Sequence, residues 1–399
     1  MSDNADYFIE MECCQIVKHG QNACGDAFDL LRLDDENRAI AVLSDGLGSG
    51  IKASVLATMT VRMAMRFLRT DMDLLQSVEN IMDALPVDSV RRISYATFSM
   101  IDLQVDGKTR LVEMGNPQYI HLRGTAEIAA KEHSQMISPR WPDRPVECYE
   151  LDLRPGDRII CCSDGVTQSG LENRSFKFGW RRDGELAFIR ELVQANPTIS
   201  AYDLAHAVAH RALAVDSNVN KDDISCMVVY LRRPRVLRIL TGPPYHKSND
   251  ATYARLAAPG TGADSVIVCG GTSANIIQRE LGVRIQIDLK KIREAGDLPP
   301  PGNIPGIGIA TEGILTLSRV RRALEEGDSD GNPLPMAAQN IIDRMKTADR
   351  IEFCVGTKIN DAHQDPNLPA ELDLRRNVIH RMADLLKEKY RKQTILRWF

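Results

Sequence analysis

The sequence predicts an α+β protein in two parts, a strand-rich first region and a second region in which strands and helices alternate. Short apolar and β-branched runs recur through the first 231 residues, and Asp106-Gly107 between two of them is typical of a hairpin turn. After residue 235 the pattern changes to a strand, a glycine turn and a helix, as in 265–281. The runs predicted to be strands in the first region are 39–43, 94–103, 110–114, 118–122, 157–163 and 224–231.

Helical periodicity is strongest shortly after the first of these strands. An apolar residue stands at every fourth position from Ile51 to Phe67, which predicts a helix over 51–69. We expect this apolar stripe, including Met59, to pack in the core. Further helices are predicted at 184–195, 200–214 and 372–391. Ser200 is the expected N-cap of the second of these.

The segment Arg232-Arg233-Pro234-Arg235 is the predicted domain boundary. It follows a predicted strand, and its proline cannot continue a hydrogen-bonded ladder. A chain of 399 residues is long enough for two or three domains. We therefore expect a first domain over 1–233 and a smaller α/β domain over 236–399.

Composition and charge exclude several classes of protein. The formal net charge is −4, and no basic stripe typical of a nucleic-acid-binding protein is visible. No apolar run approaches the ~20 residues of a membrane span, and the N-terminus lacks the apolar segment of a signal peptide. Several of the nine cysteines lie inside apolar runs, and none has zinc-knuckle spacing. We expect a cytoplasmic protein with free thiols and with neither nucleic-acid nor membrane partners.

Aspartates stand at the ends of four predicted strands of the first domain. Asp45 and Asp164 each follow an apolar strand in a Ser-Asp-Gly motif, Asp26 follows Gly25, and Asp222 begins an Asp-Asp pair. A single Asp-Gly after a strand is more often a plain turn. Four aspartates at strand ends in one domain are harder to explain as four unrelated turns.

Carboxylates that converge on one place repel each other, and a divalent cation removes that penalty. Ligands made only of oxygen favour magnesium or manganese over zinc. Two such ions a few ångström apart can ionise a water and neutralise phosphoryl oxygens together. The pattern therefore predicts a metal-dependent hydrolase of phosphate esters.

The ordered set of motifs resembles the protein phosphatase 2C superfamily, and most closely its bacterial SpoIIE-like branch. The resemblance covers roughly residues 8–231 and leaves the C-terminal domain unassigned. The resemblance implies two antiparallel β-sheets packed as a sandwich flanked by helices, with the metals at one edge. The motifs that carry the resemblance are Gly25-Asp26, 43–50, Gly115-Asn116-Pro117, 153–157, Ser163-Asp164-Gly165 and 222–225.

The resemblance also implies a set of ligands for two ions, Mn2+ or Mg2+. Asp26 is expected to hold one or both ions, and Asp45 is expected to bridge them. The carbonyl of Gly46 is expected to complete one coordination shell. These three positions match the family's first two motifs residue by residue.

The second ion is expected to lie between the last two motifs, held by Asp164 and Asp222. Because Asp223 is adjacent to Asp222, the choice between them stays open, and both are candidate ligands. The sequence has no clear counterpart of the N-terminal arginine that binds phosphate in eukaryotic members. The group that would bind phosphate is therefore not assigned.

The activity implied by the resemblance is hydrolysis of phosphoserine or phosphothreonine on a protein by metal-activated water. The expected substrate is a small phosphorylated regulatory protein of the anti-anti-sigma type. Two alternatives remain open. The first domain could be a degenerate phosphatase that acts as a binding module, although aspartates at all four motif positions argue against it. The C-terminal domain could itself act on or bind a small molecule or anion.

Two glycine-rich stretches make the C-terminal domain a candidate for such a ligand. Gly270-Gly271-Thr272-Ser273 lies between a predicted strand and a predicted helix, where free N–H groups suit an anion. Plain capping by the threonine or serine gives the same pattern. The segment 299–308 is predicted to be a loop, and a second glycine-rich stretch follows over 306–313. His206 and His210 have helical spacing but no third ligand, so they are not expected to bind a metal.

Overall fold

The computed structural model describes residues 7–33, 36–46, 48, 50–70, 72–85, 97–171, 176–287, 298–326, 334–358 and 370–399. The chain divides into two compact units, Met1–Arg233 and Pro234–Phe399. The predicted strand residues 94–96, and Leu47 and Ser49 of the motif 43–50, lie outside the described residues.

The first unit is a sandwich of two antiparallel sheets, as predicted. Its strands are β1 (Phe8–Ile16), β2 (Ala27–Leu33), β3 (Arg38–Ser44), β4 (Phe98–Gln104), β5 (Lys108–Met114), β6 (Ile120–Arg123), β7 (Ala126–Glu127), β8 (Glu132–Ser138), β9 (Trp141–Asp152), β10 (Asp157–Cys162) and β11 (Ile224–Arg232). One sheet has the order β1-β11-β10-β6-β7 and the other β2-β3-β4-β5-β9-β8. Buried side chains of both sheets, such as Ile9 and Ile101, form a shared core.

Helices cover the outer faces of this sandwich. They are α1 (Ile51–Arg69), α2 (Leu74–Ala84), α3 (Asp164–Thr167), α4 (Arg181–Ala195) and α5 (Ala201–Val215). Helices α4 and α5 form a core with the sheet that contains β11, and α1 and α2 form one with the sheet that contains β3. The Ser200 hydroxyl accepts a hydrogen bond from the Asp203 N–H at 3.0 Å, so the predicted N-cap is confirmed.

Helix α1 has the predicted bounds, and Met63 and Phe67 of the predicted stripe pack against the core, but the predicted buried face is wrong in the first half of the helix. Ile51, Val55 and Met59 are 73%, 53% and 43% exposed. Positions four apart drift by about 40° per step on a helix of 3.6 residues per turn, so a long i, i+4 stripe does not stay on one face. The face that packs on the sheet is made largely of small residues, and its buried members are Ala53, Ala57, Thr60, Val61, Ala64, Met65 and Leu68.

The second unit is an α/β domain, as predicted. Its strands are β12 (Val236–Thr241), β13 (Ser265–Cys269), β14 (Gly302–Ile304), β15 (Gly308–Thr311), β16 (Arg350–Val355) and β17 (Gln393–Trp398). Its helices are α6 (Asp250–Arg255), α7 (Gly271–Leu281), α8 (Ile314–Glu326), α9 (Met336–Thr347) and α10 (Ala370–Glu388). The sheet has the order β14-β15-β13-β12-β16-β17, and all its neighbours are parallel except β14 with β15.

The parallel strands of the second unit have a doubly wound order. Counted along the chain, they lie in the order 3-2-1-4-5, with the reversal between β12 and β16. The predicted loop 299–308 is wrong in part, because it contains β14. All nine cysteines are free. No helix in the described part of the chain has the length and hydrophobicity that a membrane span requires.

Candidate metal centre

Four aspartates of the first unit leave strand ends that meet at one edge of the sandwich. We call Asp26, Asp45, Asp164 and Asp222 the aspartate cluster. Asp26 precedes β2 and Asp45 follows β3, and the adjoining residues of these strands are paired in register. Asp164 follows β10 and Asp222 precedes β11, which are likewise antiparallel neighbours. The two sheets are joined here by a 2.6 Å hydrogen bond from the Ser225 hydroxyl to Asp26 Oδ2.

Carboxyl groups of the aspartate cluster lie partly or fully buried near one another, and the pKa values of Asp26, Asp45 and Asp222 are raised. Burial raises the pKa of Asp45 to about 9, and the charges of Asp26 and Asp164 add to that effect. Burial raises the pKa of Asp26 to about 7, against hydrogen bonds from Ser225 and Ser163 that favour the ionised form. Without a cation the cluster therefore retains protons at neutral pH.

Asp222 and Asp223 have different surroundings, although they are adjacent. Asp223 is 3% exposed and accepts backbone N–H hydrogen bonds on both oxygens, from Lys18 and Gly25, each at 2.9 Å. The Asp222 carboxylate is more exposed and accepts the N–H of Asp223 at 3.0 Å. Burial raises the pKa of Asp222, and the charge of Asp164 contributes. Asp223 therefore connects the β1–β2 segment to the start of β11, whereas the Asp222 carboxylate lies near Asp164 and the rest of the cluster.

The glycine of each Ser-Asp-Gly motif allows backbones to approach closely at this edge. A Cβ at Gly46 would lie 2.5 Å from the carbonyl oxygens of Ala53 and Gly25. A Cβ at Gly165 would lie 2.0 Å from the carbonyl oxygen of Asp223. Because no side chain fits at either place, a larger residue would push the strand ends apart.

The donor set fits hard divalent cations, which prefer oxygen ligands. The neighbouring Asp164 carboxyl group helps to raise the pKa of Asp45 to about 9, so Asp45 holds a proton at neutral pH that a cation would displace. Among the described residues, no three His, Cys, Asp or Glu side chains converge closely enough to enclose an ion unaided. Mg2+ usually takes one or two carboxylates and keeps several waters. The open arrangement is therefore compatible with ions of this class.

Two residues that support the cluster, Thr97 and Gln15, are not predicted from the sequence. The Thr97 hydroxyl donates to the Asp45 carbonyl at 2.9 Å and lies 3.2 Å from the Asp45 N–H, which donates to it. Gln15 Nε2 donates to the Ser225 hydroxyl at 3.1 Å, and that hydroxyl in turn donates to Asp26. Only Ser225 carries a local signal, because it closes the motif 222–225.

The remaining candidate positions lie away from any group of ligands in the described residues. His206 and His210 lie on α5 with ring centroids 6.1 Å apart. Gly270 is the N-cap of α7, with no side-chain capping bond, so Thr272 and Ser273 lie inside the helix. Neither Thr272 nor Ser273 is therefore the N-cap of this helix. The stretch 306–313 contains β15 and leads into α8.

Comparison with protein families identifies the first unit. Residues 35–232 match the family model described as "Stage II sporulation protein E (SpoIIE)". They form a SpoIIE-family domain of the phosphatase 2C type. Of the candidate site residues, Asp26 precedes the matched range of the SpoIIE-family domain. The others, which lie within it, are Asp45, Gly46, Asp164, Asp222 and Asp223.

Individual relatives of the SpoIIE-family domain are distant. Stage II sporulation protein E of Priestia megaterium is 22% identical over 234 residues, which is 57% of this chain and 37% of the relative. That of Bacillus subtilis is 22% identical over 227 residues, which is 56% of this chain and 26% of the relative. The match thus spans well under half the length of these curated relatives.

A solved structure is similar over a comparable share of the chain. It is the PP2C phosphatase domain with a fragment of the regulatory domain of SpoIIE from Bacillus subtilis. It aligns with a TM-score of 0.46 and 19% identity, covering 56% of this chain and 64% of that chain.

Proposed function

We propose that the first unit is a metal-dependent protein serine/threonine phosphatase. Its reaction is the hydrolysis of phosphoserine or phosphothreonine on a protein by water, with two Mn2+ or Mg2+ ions. The observation that carries the proposal is the convergence of the aspartate cluster at one edge of the sandwich, where burial and neighbouring carboxylates raise the pKa of Asp45 to about 9. Such a site is stabilised as a whole by positive charge, and strongly perturbed carboxyl groups in one place are typical of functional sites.

We assign the ligands within this proposal. Asp26 and Asp45 hold the ions from the β2–β3 side, together with the carbonyl of Gly46. Asp164 and Asp222 hold them from the β10–β11 side. Asp223 is given a positioning role instead, because both its oxygens are occupied by backbone N–H groups.

The residues of the chain prepare the site in defined ways. The Ser225 hydroxyl orients the Asp26 carboxylate, and the backbone of Asp45 is fixed by Thr97. Asp45 retains a proton at neutral pH, and this proton would leave when cations bind, so ion binding should release protons. When bound, a pair of divalent ions supplies a nucleophilic water at neutral pH and positive charge around the phosphoryl group.

The test is a phosphatase assay on the full-length protein with a phosphoserine peptide. We expect activity with added Mn2+ or Mg2+ and its loss after a chelator is added. Activity that returns when the ions are restored excludes damage by the chelator. Full activity after exhaustive chelation would contradict a two-metal mechanism, and inactivity with every divalent ion would favour a degenerate phosphatase that only binds its partner.

The substrate that we propose is a phosphorylated regulatory protein of the anti-anti-sigma type. The support is the match of residues 35–232 to the SpoIIE family. Incubation with such regulators, phosphorylated by their own kinases, would show release of phosphate as a mobility shift on a phosphate-affinity gel. The absence of release from any of them, alongside hydrolysis of other phosphoproteins, would exclude this substrate class.

For the second unit we propose a regulatory role with a small-molecule or anion ligand. The supporting observation is the reversal of strand order between β12 and β16, since ligands of doubly wound sheets bind outside the carboxyl ends at this point. A thermal-shift screen of the full-length protein with nucleotides and small phosphates is the test. Stabilisation that survives substitution of the aspartate cluster would locate the ligand outside the metal centre.

A further inference from the structure

Three hydrogen bonds fix the part of the β1–β2 connection that surrounds Lys18, beside the aspartate cluster. The Lys18 N–H donates to Asp223 Oδ1 at 2.9 Å, and the His19 N–H donates to the Asn220 carbonyl at 3.2 Å. Asn220 Nδ2 donates to the Val17 carbonyl at 3.0 Å. The backbone on both sides of Lys18 is therefore fixed, which limits where its side chain can reach.

The Lys18 ammonium lies at the open rim of the aspartate cluster. Its Nζ is 3.8 Å from Asp222 Oδ1, and the side chains of the two residues are 30% and 44% exposed. A separation of 3.8 Å is too long for a hydrogen bond. Within the described residues Lys18 Nζ makes no shorter polar contact. Its three donors are thus available to a ligand that enters from solvent.

Stability does not explain a lysine in this position. Partly exposed ion pairs of this length contribute about 0–1 kcal/mol. A cation next to Asp222 would also compete with a metal ion for the same carboxylate. The arrangement becomes useful only if the lysine has another partner while the ions are bound.

The negatively charged phosphoryl group of a substrate would be such a partner for Lys18. Four carboxylates cancel the charge of two divalent ions, so the loaded centre has little net charge of its own. A phosphoserine carries nearly two negative charges at neutral pH and has three acceptor oxygens. Lysine binds phosphate as a compact point charge with several donors.

We infer that the ammonium of Lys18 binds a phosphoryl oxygen of the substrate, on the Asp222 side of the metal centre. The inference rests on the proposed function and adds the group that holds the phosphate. The backbone N–H of Lys18 donates to Asp223. This aspartate therefore fixes the backbone from which the Lys18 ammonium extends.

The experiment measures binding of inorganic phosphate to the full-length protein by calorimetry at saturating Mg2+. We expect Lys18→Ala to weaken phosphate binding roughly 10- to 100-fold, the size of a lost ionic hydrogen bond. Lys18→Arg should restore much of the affinity, because it keeps the charge. Lys108→Ala is the matched control, since Lys108 lies 2.9 Å from Asp106 in a hairpin and is not part of the site.

Kinetics and ion dependence separate this role from a structural one. With a phosphoserine peptide, Lys18→Ala should raise KM in proportion to the loss of phosphate affinity, and the ion concentration for half-maximal activity should not rise. A lysine that merely neutralises Asp222 would change the ion requirement and leave phosphate affinity within twofold of wild type. That result would overturn the assignment.

The outcomes also distinguish this inference from the proposed function. A wild-type protein that binds phosphate through Lys18 but hydrolyses no phosphopeptide would contradict the phosphatase proposal and support the lysine assignment. An active enzyme whose Lys18→Ala variant binds phosphate normally would support the phosphatase proposal and contradict the assignment of Lys18. A wild-type protein that binds no phosphate at saturating Mg2+ would overturn the assignment of Lys18.

Discussion

The two units use strand ends in opposite ways. In the first unit, antiparallel neighbours deliver Asp26 with Asp45 and Asp164 with Asp222 to one edge, which concentrates negative charge. In the second unit, the parallel strands β12, β13 and β16 are each followed directly by a glycine, and Gly270 after β13 is the N-cap of a helix. The first arrangement calls for cations and the second presents backbone donors. The residue that follows a strand thus decides the chemistry of the strand end more than the sheet itself does.

The largest expected effect is the loss of turnover when an aspartate at one of these strand ends loses its charge. Asp45→Asn or Asp164→Asn should lower turnover by more than ~100-fold, since even the loss of an outer partner of a metal has effects of 10- to 100-fold. Each change keeps the shape of the side chain and removes its charge, so the fold should be retained. Asp106→Asn in the exposed hairpin is the matched control. Turnover is measured at saturating Mn2+, and a near-normal rate in either variant would remove that aspartate from the ligand set.

Truncation after residue 233 tests whether the two units are functionally separate. All residues of the aspartate cluster lie in Met1–Arg233, so this fragment should keep metal-dependent hydrolysis of an aryl phosphate. Regulatory coupling between sites is typically about 1–3 kcal/mol, so rate or affinity should change by roughly 5- to 150-fold at most. A fragment that is folded by circular dichroism and binds Mn2+ yet is inert would show that the second unit completes the active site.

The smallest expected effect concerns stability and pH in the metal-free protein. The pKa of Asp45 is raised to about 9 in the folded state, so between its unfolded pKa near 4 and about 9 the folded state binds more protons than the unfolded state. Stability from this group is complete below the lower value and is lost as pH rises through the upper one. Asp45→Asn should therefore stabilise the metal-free protein at pH 8 by at least about 1 kcal/mol.

Thermal unfolding at pH 5 and pH 8 measures this effect. A change of 1 kcal/mol corresponds to a shift of roughly 2–4 °C in Tm for a domain of this size. The gain from Asp45→Asn should be larger at pH 8 and should vanish when Mn2+ is added to both proteins. A variant that is less stable than wild type at pH 8 without metal would contradict strong carboxylate repulsion. The ion concentration needed by wild type should also fall between pH 6 and pH 9, because ligands must lose protons.

The sequence predicted those parts of the site that have local signals. Asp45 and Asp164 are marked by apolar strands before them and glycines after them, and the structure places both at one edge. Thr97 has no such pattern, because its contact with Asp45 spans 52 residues of chain. The choice between Asp222 and Asp223 could not be made from sequence, since it depends on N–H groups of Lys18 and Gly25 about 200 residues away.

The fold was predicted with similar limits. The apolar runs of β3, β10 and β11 were found because they are buried along almost their whole length. Strands β1 and β2 were not found, because their residues are mostly partly buried and do not alternate cleanly. The predicted face of α1 was wrong in the first half of the helix because large apolar residues are exposed there while alanines pack on the sheet. Burial by small residues leaves little hydrophobic signal in a sequence.

The hydrogen bonding of Asp223 also has a consequence for how the first unit folds. It joins Gly25 to a residue 198 positions later, and the bond from Ser225 to Asp26 spans 199 positions. Contacts of such high sequence separation have a large loop-closure entropy and form slowly. The nascent chain cannot assemble the centre until β11 has been synthesised and paired with β1. Tight binding of Mn2+ during refolding would therefore report completion of the whole sandwich, while probes of α1 or the β4–β5 hairpin would change earlier.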